Sequence, residues 1–428
     1  LNVSSERRQR QLAFARLLSS AVISQAVLSA ASFAVGLILI RHSSDLQYGS
    51  YILAANAIVL LVSLQNAWCN PPLANHLHRL DQPGRGALVG GLYRQQNRAL
   101  WLGGGLGLLL VLGLWSAQWL ATQTAALVLV SVAAALAVLH REYFRMVLFA
   151  YRRAHEVLRT DLLHVVLLVA GVWLATRTAA PALTALGALG LAALASALLL
   201  SGALRRHEPW HSTSAPGVMR EIAPLAVWST AGAAIHWSFS QGYIYLVAGT
   251  LDVTAVAAIA ATRLLLMPVN LLSSGVGSLM LPLASRWLQQ HGAALLLRRL
   301  GLFAAGLATL MLGYFGLLWL LRDWVFAVVL HKQPAQRDTL LLLWGVLFLV
   351  SVVRDQLVYL LAAQGRFRCM TLLTACSAAV ALTASYWGMH RFGVTGALLG
   401  MLIGELANLA GVVLLATRKP ADLQMLPA

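Results

Sequence analysis

The sequence predicts an all-α polytopic membrane protein, with about twelve transmembrane helices in two six-helix lobes around a central cavity and both termini cytoplasmic. Three observations predict it. The 428 residues are 59% hydrophobic and 11% charged, with a mean hydropathy of +0.75, whereas soluble domains are about a quarter charged. A bilayer span takes roughly 20 apolar residues, so roughly twelve spans with short connectors fit the apolar content. That leaves no room for an appended nucleotide-binding or catalytic globule. Finally, a polar, turn-rich segment at 205–221 lies at the midpoint of the chain and separates six apolar runs from six.

The runs fall at 12–40, 49–70, 99–121, 124–150, 161–176 and 182–204, then at 222–249, 254–284, 300–321, 338–363, 367–388 and 393–416. Basic residues orient them. Arg7, Arg8 and Arg10, then Arg79, Arg85, Arg94 and Arg98, Arg152, Arg153 and Arg159, the 205–221 segment with Arg205, Arg206 and Arg220, Arg286, Arg298 and Arg299, Arg366 and Arg368, and the terminal Arg418 and Lys419 fall on one side. The other side holds only Arg41, Arg177, Arg322, Lys332, Arg337 and Arg391. The positive-inside rule makes the basic side cytoplasmic. The expected organisation is therefore an N-lobe (1–204), a cytoplasmic linker (205–221) and a C-lobe (222–428). The net charge of +17, which in a soluble protein points to nucleic acid, is here explained by loop placement. Cys69, Cys369 and Cys376 sit in apolar stretches and imply no disulfide framework. No cleavable signal is expected, because the first apolar run is too long.

Two motifs invite over-reading. His207-Glu208-Pro209-Trp210-His211 matches the H-E-x-x-H zinc pattern, but Pro209 breaks the turn that would align the histidines and no third ligand lies nearby. No metal or cofactor is implied. Gly103-Gly104-Gly105-Leu106-Gly107 allows close helix approach and lacks the Lys and Ser/Thr of a phosphate loop. Pro71-Pro72, Pro268 and Pro282 are expected to interrupt or kink their helices.

The candidate functional residues are charges inside apolar runs, where each isolated charge costs several kcal/mol and usually faces a cavity or a partner. Arg263 lies about 14 Å from the outer end of its span, and Arg354 about 18 Å from the inner end of its own. Arg141 and Arg145, four apart, share a helix face. The deep acids are Glu142, Asp355 and Glu405. One reading is a cationic cavity for a polyanion, since guanidinium matches phosphate bidentately; the other is a set of salt bridges that position helices. Ser229, His236 and Ser240 form one stripe of a polar span, and Gln25 and Asn56 are polar positions in the first two spans. Each of these lines a cavity or bonds helix to helix.

Three stretches resemble one family. Arg41-His42-Ser43-Ser44-Asp45-Leu46-Gln47-Tyr48-Gly49-Ser50-Tyr51 is similar to a hairpin between its first two spans. Ala248-Gly249-Thr250-Leu251-Asp252-Val253 through Thr262-Arg263-Leu264 is similar to its seventh-to-eighth junction. Gln364-Gly365-Arg366 and Phe392-Gly393-Val394-Thr395-Gly396-Ala397 are similar to a turn and to the start of its last span. The family is the polysaccharide-transporter branch of the multidrug/oligosaccharidyl-lipid/polysaccharide (MOP) exporter superfamily. The resemblance implies a bacterial inner-membrane flippase that moves undecaprenyl-diphosphate-linked oligosaccharide of exopolysaccharide, capsule or O-antigen to the periplasmic leaflet by alternating access. It also implies that Arg263 faces the cavity. The lipid II flippases of the superfamily carry an arginine midway along the first span, where this chain has Gln25, which argues against lipid II as substrate.

On this reading Arg263 and Arg354, with Arg141 or Arg145, contact the diphosphate, and Glu405, Asp355 or Glu142 couple an ion gradient. Expected partners are the lipid-linked oligosaccharide, membrane lipids, and polymerase and chain-length-control proteins of the same pathway; no nucleic acid is expected, and the chain is expected to be a monomer. The alternatives are a cation-coupled multidrug exporter of the same superfamily, or a non-transporting scaffold of a polysaccharide synthase complex. An enzyme is disfavoured, because the longest external segment, 322–337, is short and holds no catalytic constellation.

Overall fold

In a computed structural model, the chain is described over residues 2–207, 216–334 and 336–417. Side chains are described from residue 20 onward, except at 75, 78, 207–222, 225, 270–272, 274–279 and 281. The zinc-like pattern at 207–211 and the side chains of Arg7, Arg8, Arg10, Arg220, Arg418 and Lys419 lie outside this set. Among the described residues the structure is helical, without strands. Within the described residues, ten helices are long and apolar enough to cross a membrane. They expose large apolar side chains such as Leu102, Leu106, Leu191, Leu198, Leu320 and Leu372, as helices that face hydrocarbon do. The chain divides into two compact units, Leu1–Ala234 and Ile235–Ala428.

The first unit contains α1 (Asn2–His42), α2 (Asp45–His76), α3 (Gln82–Ser116), α4 (Thr122–Ala150), α5 (Ala154–Ala175) and α6 (Pro181–His207), together with the start of α7 (Pro216–Thr250). Residues 216–221 of the expected linker are thus helical. Ser44 caps α2 and Asp81 caps α3, each by accepting a backbone N–H three residues on. α2 continues through Pro71 and Pro72 to His76 instead of stopping before them. α4 packs against α2, α3, α5 and α6, and α1 against α5. Near its C-terminal end, Tyr143, Phe144 and Val147 of α4 meet Leu73, Val89, Leu92, Val157 and Leu204 in one core. Tyr143 donates its hydroxyl to the Val89 carbonyl at 2.6 Å. Gln65 of α2 and Gln96 of α3 both donate to the Leu139 carbonyl of α4, at 2.9 and 3.3 Å.

The second unit contains the rest of α7, then α8 (Val253–Leu264), α9 (Met267–Leu320), the turn α10 (Arg322–Trp324), a π-helical stretch (Val325–Leu330), α11 (Arg337–Ala363), α12 (Phe367–Phe392) and α13 (Val394–Thr417). The expected span 254–284 is in fact broken at Leu265–Leu266. Pro268 therefore stands in the first turn of α9, where its missing N–H costs nothing, and not in a helix interior. α9 runs through Gly292, whose φ of 78° and ψ of 176° turn the chain between two helical arms. A left-handed φ of this kind is one that glycine adopts without a Cβ clash.

α12 and α13 approach each other closely. A Cβ on Gly388 would lie 2.6 Å from the Gly396 carbonyl oxygen, and one on Gly396 or Gly400 would strike the Gly388 carbonyl or the Ser385 backbone nitrogen. Lipid provides no hydrophobic drive for helix pairing, so backbone proximity of this kind and polar bonds carry the association. Ser385 donates to the Ala397 carbonyl at 2.9 Å, and Asn408 to Ser377 at 3.1 Å. By contrast, the Gly103–Gly107 motif of α3 makes no such seam. Positions 103 and 105 have nothing within 4 Å of a built Cβ, and position 104 meets only Leu136 of α4.

Gly400→Ala should therefore cost about 1–3 kcal/mol by overpacking, read as a lower melting temperature of the detergent-solubilised protein. Gly105→Ala should leave it unchanged or raise it, by up to ~1 kcal/mol of helix propensity. A second expectation concerns Asp252, which caps α8 by accepting from Ala255 N–H at 2.6 Å and the Thr254 hydroxyl at 2.7 Å. The Thr254 hydroxyl first, then the Ala255 N–H, holds the carboxyl below its ordinary range. The cap is therefore complete above pH ~3.9 and is lost as pH falls through the lowered value. Hydrogen exchange across 253–264 should rise in acid in the native protein and should lose that acid step in Asp252→Asn.

Candidate functional site

The first charge cluster is built by α1, α4 and α5. Arg141 and Arg145 project from the same face of α4 toward Asp161, which is fully buried on α5. Asp161 receives Arg141 at 2.5 Å, Arg145 at 3.1 Å and the hydroxyl of Ser24 from α1. Glu142 pairs with Arg141 at 2.6 Å and with Arg145 at 3.4 Å, and Arg145 also donates to Ser24 at 3.1 Å. Two guanidinium groups thus face two carboxylates, so the cluster is formally neutral. His164, one turn beyond Asp161, is buried nearby with its Nδ1 unpartnered, as is the Arg141 Nε. Of the two readings open for Arg141 and Arg145, the structure displays the ion-paired one.

Neither Asp161 nor Ser24 was identified from the sequence. The sequence places the fifth apolar run at 161–176, which leaves Asp161 at its edge. The helix begins seven residues earlier, at Ala154, because its first two turns carry His155, Glu156 and Arg159 and so read as loop. The available signal was the Asp161/His164 pair, three apart and hence on one helical face.

The second cluster joins α11 to α13. Arg354 pairs with Glu405 at 2.5 Å and with Asp355 at 2.8 Å, and its guanidinium lies 5.8 Å from the Phe239 ring centroid of α7. Here one cation faces two acids. The Glu405 side chain is 9% exposed and that of Asp355 35%, so the second carboxylate is the accessible one.

Arg263 is different. It is the penultimate residue of α8, just before the Leu265–Leu266 break, and donates to Gln241 Oε1 at 2.6 Å. Its guanidinium lies 5.3 Å from the Trp344 ring centroid. Trp344 is itself held by its indole N–H on the Ile259 carbonyl at 3.3 Å. Among the described residues no carboxylate pairs with Arg263, and it is half-buried. At the break, Tyr314 of α9 donates to the Leu265 carbonyl at 2.7 Å, supplying a partner at the interrupted helix end. Unwound backbone at membrane depth is tolerated where protein or a cavity surrounds it, and it is a usual builder of transporter sites.

Of the remaining polar positions, His236 lies within electrostatic range of Arg354 and Asp355 of the second cluster, and Asn56 and Ser240 bond back to their own helices. The Asn56 amide donates to the Ile52 carbonyl of its own helix at 2.9 Å, and Ser240 bonds back to Trp237 at 3.4 Å. Gln25 is exposed on α1 beside the inward-facing Ser24, His236 is exposed on α7, and Ser229 is half-buried on the same helix.

Solved structures share this arrangement of helices along almost the whole chain. The inward-facing conformation of a multidrug resistance MATE family transporter of the MOP superfamily matches 94% of this chain and 96% of its own, at 13% identity and a TM-score of 0.77. An outward-facing conformation of such a transporter matches 97% of both chains, at 14% identity and a TM-score of 0.68. The chain has a MATE-type fold. A MOP superfamily transporter from Pyrococcus furiosus, described as having a binding pocket of reverse polarity that suggests a different function, matches 94% of both chains, at 14% identity and a TM-score of 0.65. No protein-family model matches the sequence, and no curated protein does. The MATE-type fold accounts for the multi-pass topology and the two lobes; the likeness to the polysaccharide-transporter branch stands on the sequence motifs.

Breaking the first cluster tests its role as a clamp. Asp161→Asn leaves buried guanidinium charge uncompensated and should cost about 3–5 kcal/mol, whereas an Asp161→Leu, Arg141→Met double variant should recover much of that loss. Thermal melts of the wild type and the two variants in one detergent measure it.

Proposed function

We propose that this chain is a MOP-type transporter that moves an undecaprenyl-diphosphate-linked oligosaccharide from the cytoplasmic to the outer leaflet of a bacterial inner membrane. The observation that carries the proposal is Arg263: a guanidinium in the last turn of an apolar helix, beside a helix break, held by Gln241 and Trp344 and, among the described residues, not by an acid. A phosphate oxygen supplies the charge complement that the protein leaves out. Arg141, Arg145 and Arg354 would have to leave their carboxylates before binding a diphosphate, so the headgroup role falls first to Arg263. With both termini cytoplasmic, as the basic residues suggest, Arg263 is exposed to each side in turn by alternating access.

Ion coupling falls to the second cluster. Glu142 is already shared by two arginines, whereas Asp355 and Glu405 share only Arg354. Such a surplus carboxylate suits a transported proton or cation. The same surplus favours the second reading, a cation-coupled multidrug exporter, in keeping with the multidrug MATE proteins of this fold. Against it stands Arg263, which would repel a cationic drug. The Pyrococcus furiosus protein is described as having reversed pocket polarity, which fits a fold whose pocket charge changes with substrate.

The deciding assay is translocation of a fluorescent polyprenyl-diphosphate oligosaccharide in proteoliposomes. The wild type should flip it. Arg263→Ala should lose at least about tenfold, in line with a charged hydrogen bond of about 1.5–3 kcal/mol, and Arg263→Lys should recover only part because the planar fork is lost. Absence of wild-type flipping, together with gradient-driven efflux of organic cations, would establish the second reading instead.

A further inference from the structure

We propose that an apolar cavity in the second unit is a binding site for an isoprenoid chain; the choice of chain rests on the lipid-diphosphate reading of Arg263. The cavity, about 220 Å³, lies between the two arms of α9 and against α11. Val269, Met311 and Val352 form buried parts of its wall, while Leu310 is 56% exposed and opens it to the outer surface of α9. That surface continues through the exposed Leu302, Leu312, Leu317 and Leu320, which face hydrocarbon. Of the eight lining residues only Ser273 and Tyr314 carry a polar side-chain atom, and the Tyr314 hydroxyl is already donated to Leu265.

Water gains nothing in such a space, whereas a methylene chain recovers the dispersion contacts that the wall otherwise lacks. At roughly 30 Å³ per water-sized group it holds roughly seven such groups, enough for an isoprene unit and part of the next. Its position selects the occupant. Tyr314, a wall residue, bonds the carbonyl of Leu265, two residues beyond Arg263. Val352 lies eight residues along α11 from Trp344, about 12 Å of helix, and Trp344 packs against the Arg263 guanidinium. A molecule with a diphosphate at Arg263 and an aliphatic chain in the cavity spans that distance.

The test uses the full chain in proteoliposomes and three diazirine probes: a chain-labelled polyprenyl diphosphate, the corresponding polyprenol, and an acyl-labelled phosphatidylglycerol. The polyprenyl probes should label Leu307, Met311 or Val352 at least tenfold above the phospholipid probe. Met311→Trp, or Val352→Phe should the first variant fail to fold, should lower that labelling at least fivefold without changing the binding of a short, soluble isoprenyl diphosphate. Equal labelling by the phospholipid probe, no labelling at these residues, or labelling indifferent to both substitutions overturns the site. Failure of the headgroup reading is separate: Arg263→Ala would then leave binding of the short diphosphate intact, while polyprenol labelling still decides the cavity.

Discussion

A guanidinium held among apolar helices must find its counter-charge inside the protein, because lipid offers none. Much of the arrangement of each unit follows from that requirement. In the first unit it ties three helices together: Asp161 of α5 and Ser24 of α1 complete the coordination of Arg141 and Arg145 on α4, with Glu142 shared between the two. In the second unit it ties α11 to α13 through Arg354 and Glu405. Each pair is costly to desolvate and yields little net stability, but losing one member strands a charge, so the pairing fixes helix register.

The ion pairs can form only if the helices stand at the right separation, and in lipid that separation is set by steric fit. The α12–α13 seam is the clearest case. Glycines at 388, 396, 400 and 404 bring backbone against backbone or against small side chains, and this places Glu405 where Arg354 meets it. Polar side chains do the same work elsewhere, as where Gln65 and Gln96 converge on one carbonyl of α4. The glycine-rich run of α3, which looks more like a packing motif on paper, faces open space over most of its length.

The three charge environments differ in a way that separates their roles. The first cluster is balanced and buried, and behaves as a clamp. The second sets two carboxylates against one guanidinium. Arg263 holds positive charge against an amide and an indole ring, next to the one interruption in the α8–α9 path before Gly292. Ion coupling to a charged cargo, as proposed above, would draw on these differences.

Much of this was legible in the sequence, because its cause is local. Hydrophobic content and span length determined an all-helical membrane fold. Four-residue spacing placed Arg141 and Arg145 on one face, and depth along a span marked Arg263, Arg354 and Glu405 as unusual. The pairing Arg354–Asp355 and the turn-spaced Glu142–Arg145 contact were also visible as neighbours in the chain. What only the tertiary structure decided were contacts between residues far apart in sequence: Asp161 with Arg141, Ser24 with Arg145, Glu405 with Arg354, and Trp344 with Arg263. The break at Leu265–Leu266 also escaped the sequence, since an apolar stretch stays apolar whether its helix is continuous or not. Hydropathy reports the cost of placing a residue in lipid; which partner relieves that cost depends on how helices pack, and no local pattern encodes it.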